Sequence, residues 1–158
     1  MNESVPTDRF PVRTCLWFHD RGEEAANFYV SLVPHSHIDS VEHLPGDTVV
    51  VRFSLGGVPY MILQAGPHFT LSPAASIMVV TPNQKETDRL WDALTADGGE
   101  ESRCGWLVDR FGMSWQIVPD ALFRSLGAKD PAAATRAREA MFKMAKIDIA
   151  ALEAAAAG

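Results

Sequence analysis

Short apolar, β-prone runs alternate along this chain with segments of helical spacing, and the order of these segments occurs twice. Residues 1 to 10 read as a loose leader. Val12 to Phe18 predicts a strand, broken by His19, Asp20, Arg21 and Gly22. Ala25, Phe28, Tyr29 and Leu32 then fall at helical spacing, with Glu23 and Glu24 in the first turn, where the helix dipole favours acids. Pro34 ends that helix. Ile38 to Leu44 reads as a weak strand and Thr48 to Leu55 as a strong one. Gly56 and Gly57 make the tight turn into a hairpin partner, Val58 to Gln64. A loop at 65–73 follows, and the pattern restarts. Ala75 to Thr81 predicts a strand, and Gln84 to Thr95 a helix with Leu90, Trp91 and Leu94 on one face. Gly98 and Gly99 end it. Glu101 to Cys104, Gly105 to Asp109 and Met113 to Val118 predict three short strands. The remainder reads as helical, with breaks at Gly127 and Pro131 and a short last helix in IDIAALEAA.

The repetition can be aligned residue by residue. A shift of 62 places Glu24, Phe28, Tyr29 and Leu32 on Glu86, Leu90, Trp91 and Leu94. A shift of 55 places Gly57 on Gly112 and Tyr60 on Trp115. The expected fold class is therefore α+β: two tandem βαβββ modules, 11–66 and 74–119, with curled mixed sheets, and a helical tail at 120–158. All lie in one domain, 1–158. A lone βαβββ unit leaves one sheet face bare, so two copies are expected to enclose a small-molecule cavity.

Composition narrows the function classes. The chain has 158 residues, is 47% hydrophobic and carries a formal net charge of -6. An acidic chain with scattered Lys and Arg is a poor match for nucleic acid, which needs clustered cations. The two cysteines, Cys15 and Cys104, form no CxxC pair and are expected as reduced thiols. The first residues have no basic stretch followed by an apolar core, and no apolar run approaches the length of a membrane span. The expected location is cytoplasmic, with no membrane partner.

Particular stretches carry a family likeness: CLWFHDRGEEAANFYVSLVP, GGVPYMILQAGPHF, CGWLVDRFGMSWQIVP and MFKMAKIDIAALEAA. They resemble the vicinal oxygen chelate superfamily (glyoxalase I, bleomycin resistance proteins, extradiol dioxygenases). Within it they look like the PhnB-like branch, also labelled demethylubiquinone methyltransferase-like. The resemblance implies a glyoxalase-like fold, often with halves paired across two chains, so a homodimer is expected. Apolar residues along the tail, such as Met141, Met144, Ile147 and Leu152, offer surface for a partner.

Catalytic members of the superfamily hold a divalent metal with inward His, Gln or Glu side chains on the first and last strands of each half. The resemblance carries those positions onto Arg13, Met61, Ala75 and Gln116. Arginine is a permanent cation, alanine has no donor atom, and methionine suits soft copper(I). Only Gln116 is a plausible ligand. A slip of one residue offers Val12 or Thr14, Tyr60 or Ile62, Ala74 or Ser76, and Trp115 or Ile117, none of them His or Glu. No metal and no other cofactor is expected. His19, His35, His37, His43 and His68 read as solvated or packed; His35 and His37 alone would make a weak chelating pair.

The strand period of two puts Leu16 and Phe18 on one face, expected toward the helix because their repeat counterparts Met78 and Val80 are also apolar. Arg13, Cys15 and Trp17 then face the cavity, as do Ala75 and Ile77. Arg13 is a candidate anchor for an anion. Trp17, Trp106 and Trp115 are candidate walls, and Gln64 and Gln116 candidate polar anchors. Cys15 reads as an inert thiol rather than a nucleophile. Two classes of function remain: a protein that captures an apolar or aromatic small molecule, or a metal-independent enzyme acting on a small carbonyl, quinone or anionic substrate. The methyltransferase of the branch label ranks below both.

Overall fold

The computed structural model describes residues 10–158; the leader expected at the N-terminus lies, up to residue 9, outside the described residues. The chain forms two compact units, the first ending at Leu71 and the second spanning Ser72–Gly158. In the first unit, β1 (Thr14–Phe18) leads into α1 (Gly22–Leu32), then β2 (His37–Leu44), β3 (Thr48–Leu55) and β4 (Val58–Gln64). In the second, β5 (Ile77–Thr81) leads into α2 (Gln84–Thr95), then β6 (Glu100–Glu101), β7 (Trp106–Val108) and β8 (Ser114–Pro119). The tail follows as α3 (Asp120–Leu126), α4 (Pro131–Met141) and α5 (Ile149–Ala157).

The two sheets have the same order, β1-β4-β3-β2 and β5-β8-β7-β6. In each, the first strand runs parallel to the last and the other pairs are antiparallel. This is the expected α+β duplication of a βαβββ unit. The predicted strand Glu101 to Cys104 is shorter than expected, because residues beyond Glu101 enter a tight turn.

Local chemistry explains the helix starts. Asn83 caps α2 by accepting the Glu86 N–H at 2.9 Å, and Asp148 caps α5 by accepting the Ala151 N–H at 2.9 Å. Asp130 accepts the Ala132 N–H at 3.0 Å ahead of Pro131, the first residue of α4.

The ladder registers correct one expectation. Thr14 pairs with Tyr60, and Ile77 pairs with Trp115. The strands therefore superimpose with a shift of 63, while the helices keep 62. The second copy has one residue fewer between strand and helix. Because side chains alternate, that single residue exchanges the two faces of β5. Ile77 is 5% exposed, and Thr81 is bonded to Thr87 of α2 at 2.6 Å, so these two face the helix. Met78 and Val80 are 52% and 50% exposed and lie on the opposite face. Ile77 is thus a core residue, not a lining one. Ala75 stands in an exposed bend before β5, and Ser76 takes the place expected for it.

The core of the first unit lies between α1 and its sheet and contains Leu16, Phe18, Tyr29, Val51, Phe53 and Ile62. That of the second contains Ile77, Leu90, Trp91, Leu107, Trp115 and Ile117. A further cluster, Val118, Leu122, Ala137, Ile147 and Leu152, lies beneath the tail.

Candidate functional site

Each sheet carries a cross-strand row on the face opposite its helix. In the first unit Met61 pairs with Cys15 on one side and Arg52 on the other. In the second, Gln116 pairs with Met78 and Trp106. The rows are equivalent by the duplication: Cys15 with Met78, Met61 with Gln116, and Arg52 with Trp106. Directly paired side chains on one face lie within reach of each other.

Gln116 is half-buried and donates from Nε2 to the Ser76 hydroxyl over 2.8 Å. Amide and hydroxyl together form a neutral polar spot beside Met78 and the Trp106 ring. The first unit is charged at the corresponding end. A bulge between Ile38 and Ser40 brings Asp39 to Arg13, with Arg13 Nη1 to Asp39 Oδ2 at 3.1 Å. The same nitrogen donates to the carbonyls of Tyr60 at 3.3 Å and Phe53 at 3.5 Å. The Arg13 side chain is only 10% exposed. Its charge is thus matched by a carboxylate inside the unit. Asp39 also faces His37, with Oδ1 3.0 Å from His37 Nε2, and His37 Nδ1 lies 3.4 Å from the Ser54 hydroxyl.

The remaining candidates fall in different places. Cys15 is a free thiol on the row, and partial burial pushes its pKa up, which disfavours the thiolate nucleophile. Trp17 donates from Nε1 to the Gly66 carbonyl at 2.9 Å and meets Phe69 edge-on at 4.9 Å. Gln64 pairs with Phe18 and Val49, both buried on the helix face. Its Oε1 accepts the Gly22 N–H at 2.8 Å. Gln64 therefore caps α1 rather than lining a ligand face, and this corrects the expectation for it. Trp115 is fully buried, and its Nε1 donates to Asp109 Oδ2 at 2.8 Å, so it is core and not a wall. Asp39 and Arg52 were missed in the sequence. Arg52 was legible, because the turn at Gly56–Gly57 fixes its pairing with Met61. The Asp39 bulge leaves no mark in the alternation.

Among the described residues, no group of three or more His, Cys, Asp or Glu is placed to hold a metal ion. The positions that the superfamily resemblance assigns to metal ligands hold Arg13 and Met61 in the first unit and, with the corrected register, Ser76 and Gln116 in the second. In the first unit Arg13 is matched by Asp39, and in the second the Gln116 amide donates to the Ser76 hydroxyl. No helix among the described residues is long and apolar enough to cross a membrane.

Comparisons with known proteins agree with this fold. A family model described as 3-demethylubiquinone-9 3-methyltransferase matches residues 11–118. No curated protein sequence matches significantly. Among solved structures, a putative 3-demethylubiquinone-9 3-methyltransferase, PhnB protein, from Bacillus cereus is 30% identical, with a TM-score of 0.64, over 70% of this chain and 99% of that one. Protein PA1353 from Pseudomonas aeruginosa is 22% identical, with a TM-score of 0.55, over 70% of this chain and 99% of that one. A fosfomycin resistance protein, FosX, from Listeria monocytogenes shares the fold at 12% identity, with a TM-score of 0.53, over 71% of this chain and 93% of that one; that structure is a complex with Mn(II) and a dihydroxypropylphosphonic acid. The duplicated βαβββ units and the match across both of them place this chain in the 3-demethylubiquinone-9 3-methyltransferase, or PhnB-like, family of the vicinal oxygen chelate superfamily.

Proposed function

We propose that this protein binds a small organic molecule through side chains on its open sheet faces, with no divalent ion in the site. The Ser76–Gln116 pair carries the reading. It puts a neutral amide and hydroxyl at two positions where the superfamily's metal-dependent members place ligands. Such a pair suits a carbonyl or hydroxyl of a ligand, while Trp106 and Met78 supply apolar contact beside it. Arg13 and Met61, at the other two positions, favour no hard cation either.

The test is calorimetric titration of the full chain with a benzoquinone, a bleomycin and a glyoxal adduct, each with and without EDTA. Binding that is unchanged by EDTA and weakened by Gln116→Ala supports the proposal. Binding that appears only when Mn(II) is supplied overturns it. Chemical conversion of a bound compound would make the protein a metal-independent enzyme. A parallel titration with S-adenosylmethionine tests the methyl transfer in the family's name.

A further inference from the structure

The second unit contains a groove of about 500 Å³ that its sheet does not make alone. One side is strand β7, with Trp106 and Val108; the other is the end of α4, with Met141 and Phe142. Arg103 and Cys104 also line it. The family match ends at residue 118, so the Met141–Phe142 wall is contributed by the tail beyond it.

The turn joining β6 to β7 fixes this arrangement. The Trp106 N–H donates to the Arg103 carbonyl at 3.1 Å, and the Ser102 N–H donates to the Trp106 carbonyl at 2.9 Å. Both central residues have positive φ, 60° at Cys104 and 83° at Gly105, as in the primed hairpin turns. Glycine is needed at the second position, because a Cβ there would come within 2.8 Å of the Ile117 carbonyl oxygen. Cys104 holds a left-handed conformation that disfavours side chains. The tail secures it: the Cys104 N–H donates to Met144 at 2.9 Å, and the Gly105 N–H donates to Ala145 at 2.8 Å. The thiol lies 3.6 Å from the Met141 carbonyl. Arg103 and Trp106 thus flank one tight turn, a cation beside an aromatic wall, and the tail is tied to that turn with Phe142 at the groove. Phe142 is 59% exposed, a large apolar side chain lining the groove.

We infer that this groove binds a flat aromatic molecule bearing one anionic group, its ring against Trp106 and Phe142 and its anion at Arg103. The inference rests on the reading that the protein binds a small organic molecule, and it adds the tail as a determinant of which one. The cation and the apolar walls provide complementary contacts for the two parts of such a molecule.

The experiment measures binding of 2-naphthoate and its neutral analogue 2-naphthylmethanol to the full chain by calorimetry. Wild type is expected to prefer the carboxylate by about tenfold. Arg103→Gln is expected to remove that preference and leave the alcohol's affinity as it was. Phe142→Ala is expected to weaken both by about tenfold. Both side chains are exposed, so folding is expected to survive, and circular dichroism verifies it. Equal affinity for acid and alcohol in wild type overturns the inference, as does full affinity in Phe142→Ala. If Gln116→Ala weakens quinone binding while Phe142→Ala changes nothing, the groove is refuted and the proposed function stands. If neither naphthyl compound binds, the groove is refuted, and the EDTA titrations decide the proposed function separately.

Discussion

Gln84 in the first turn of α2 holds Ile149, the first residue of α5, by accepting its N–H at Oε1 over 2.9 Å across 65 residues of chain. The same side chain donates from Nε2 to the Ile147 carbonyl at 3.1 Å and to Asp88 Oδ1 at 2.9 Å. One amide clasps both sides of the α5 start. Gln84→Ala leaves these backbone groups without that partner and is expected to cost about 1–3 kcal/mol. Denaturant unfolding reads the loss. Hydrogen exchange at residues 147–152 is expected to speed up more than exchange in β3. Uniform exchange changes would show that the clasp does not act on the tail.

An ion pair beside that clasp sets a pH dependence. Lys146 Nζ lies 2.9 Å from Asp88 Oδ1 and 3.5 Å from Asp92 Oδ1. The Asp88 carboxyl is held below its usual range, first by the hydrogen bond from Gln84 and then by Lys146. The Lys146 ammonium is held above its usual value, chiefly by Asp88. The lowered Asp88 pKa contributes stability that is present above the unfolded carboxylate value, about 4, and lost as pH falls through the folded one. The raised Lys146 pKa contributes stability that is present below about 10.4 and lost as pH rises through the folded value. The tail is therefore expected to be best held between about pH 5 and 9. Both groups are substantially exposed, so the pair is worth at most about 1 kcal/mol and weakens with salt. Asp88→Asn should flatten the acid limb of tail exchange at low salt and change little at high salt.

Gln64 gives a prediction that separates scaffold from site. Its Oε1 is bonded to the Gly22 N–H, and a Cβ added at Gly22 would stand 2.7 Å from Ile62 Cγ2. The start of α1 is thus closely fitted against β4. Gln64→Ala is expected to lower stability by about 1–2 kcal/mol, as lost caps do, and to leave small-molecule affinity unchanged. Affinity that falls with unchanged stability would return Gln64 to a ligand face.

Gly105→Ala tests the turn that carries Arg103 and Trp106. The added Cβ meets the Ile117 carbonyl oxygen, and φ there is 83°. A cost of about 1–3 kcal/mol is expected, with faster exchange of the Cys104 N–H and a weaker grip on 2-naphthoate. A wild-type unfolding midpoint would contradict this geometry.

The order of elements was legible in the sequence because its punctuation is strong. Gly56–Gly57, Pro34, Asn83 and Gly98–Gly99 mark ends that periodicity alone blurs. The faces of β5 were not legible. The linker from β1 to α1 is one residue longer than that from β5 to α2, and aligning the helices carried this difference unseen into the strand. In a period of two, such an error moves every side chain to the other face. That is why Ile77 and Ala75 were expected where Met78 and Ser76 stand. The face of β1 does not depend on that offset, since Leu16 and Phe18 are themselves buried against the helix while Cys15 lies opposite them. The Asp39 network and the Phe142 wall depend on a bulge and on packing across distant segments, which local pattern does not encode.

The sharpest check is titration of Mn(II), Zn(II) and Mg(II) into EDTA-stripped protein, followed by calorimetry. With Gln116 bonded to Ser76 in the second unit and Arg13 matched by Asp39 in the first, no saturable binding tighter than about millimolar is expected, and Gln116→Ala should leave the heats unchanged. Stoichiometric binding at about micromolar affinity that Gln116→Ala abolishes would refute a side-chain-only site.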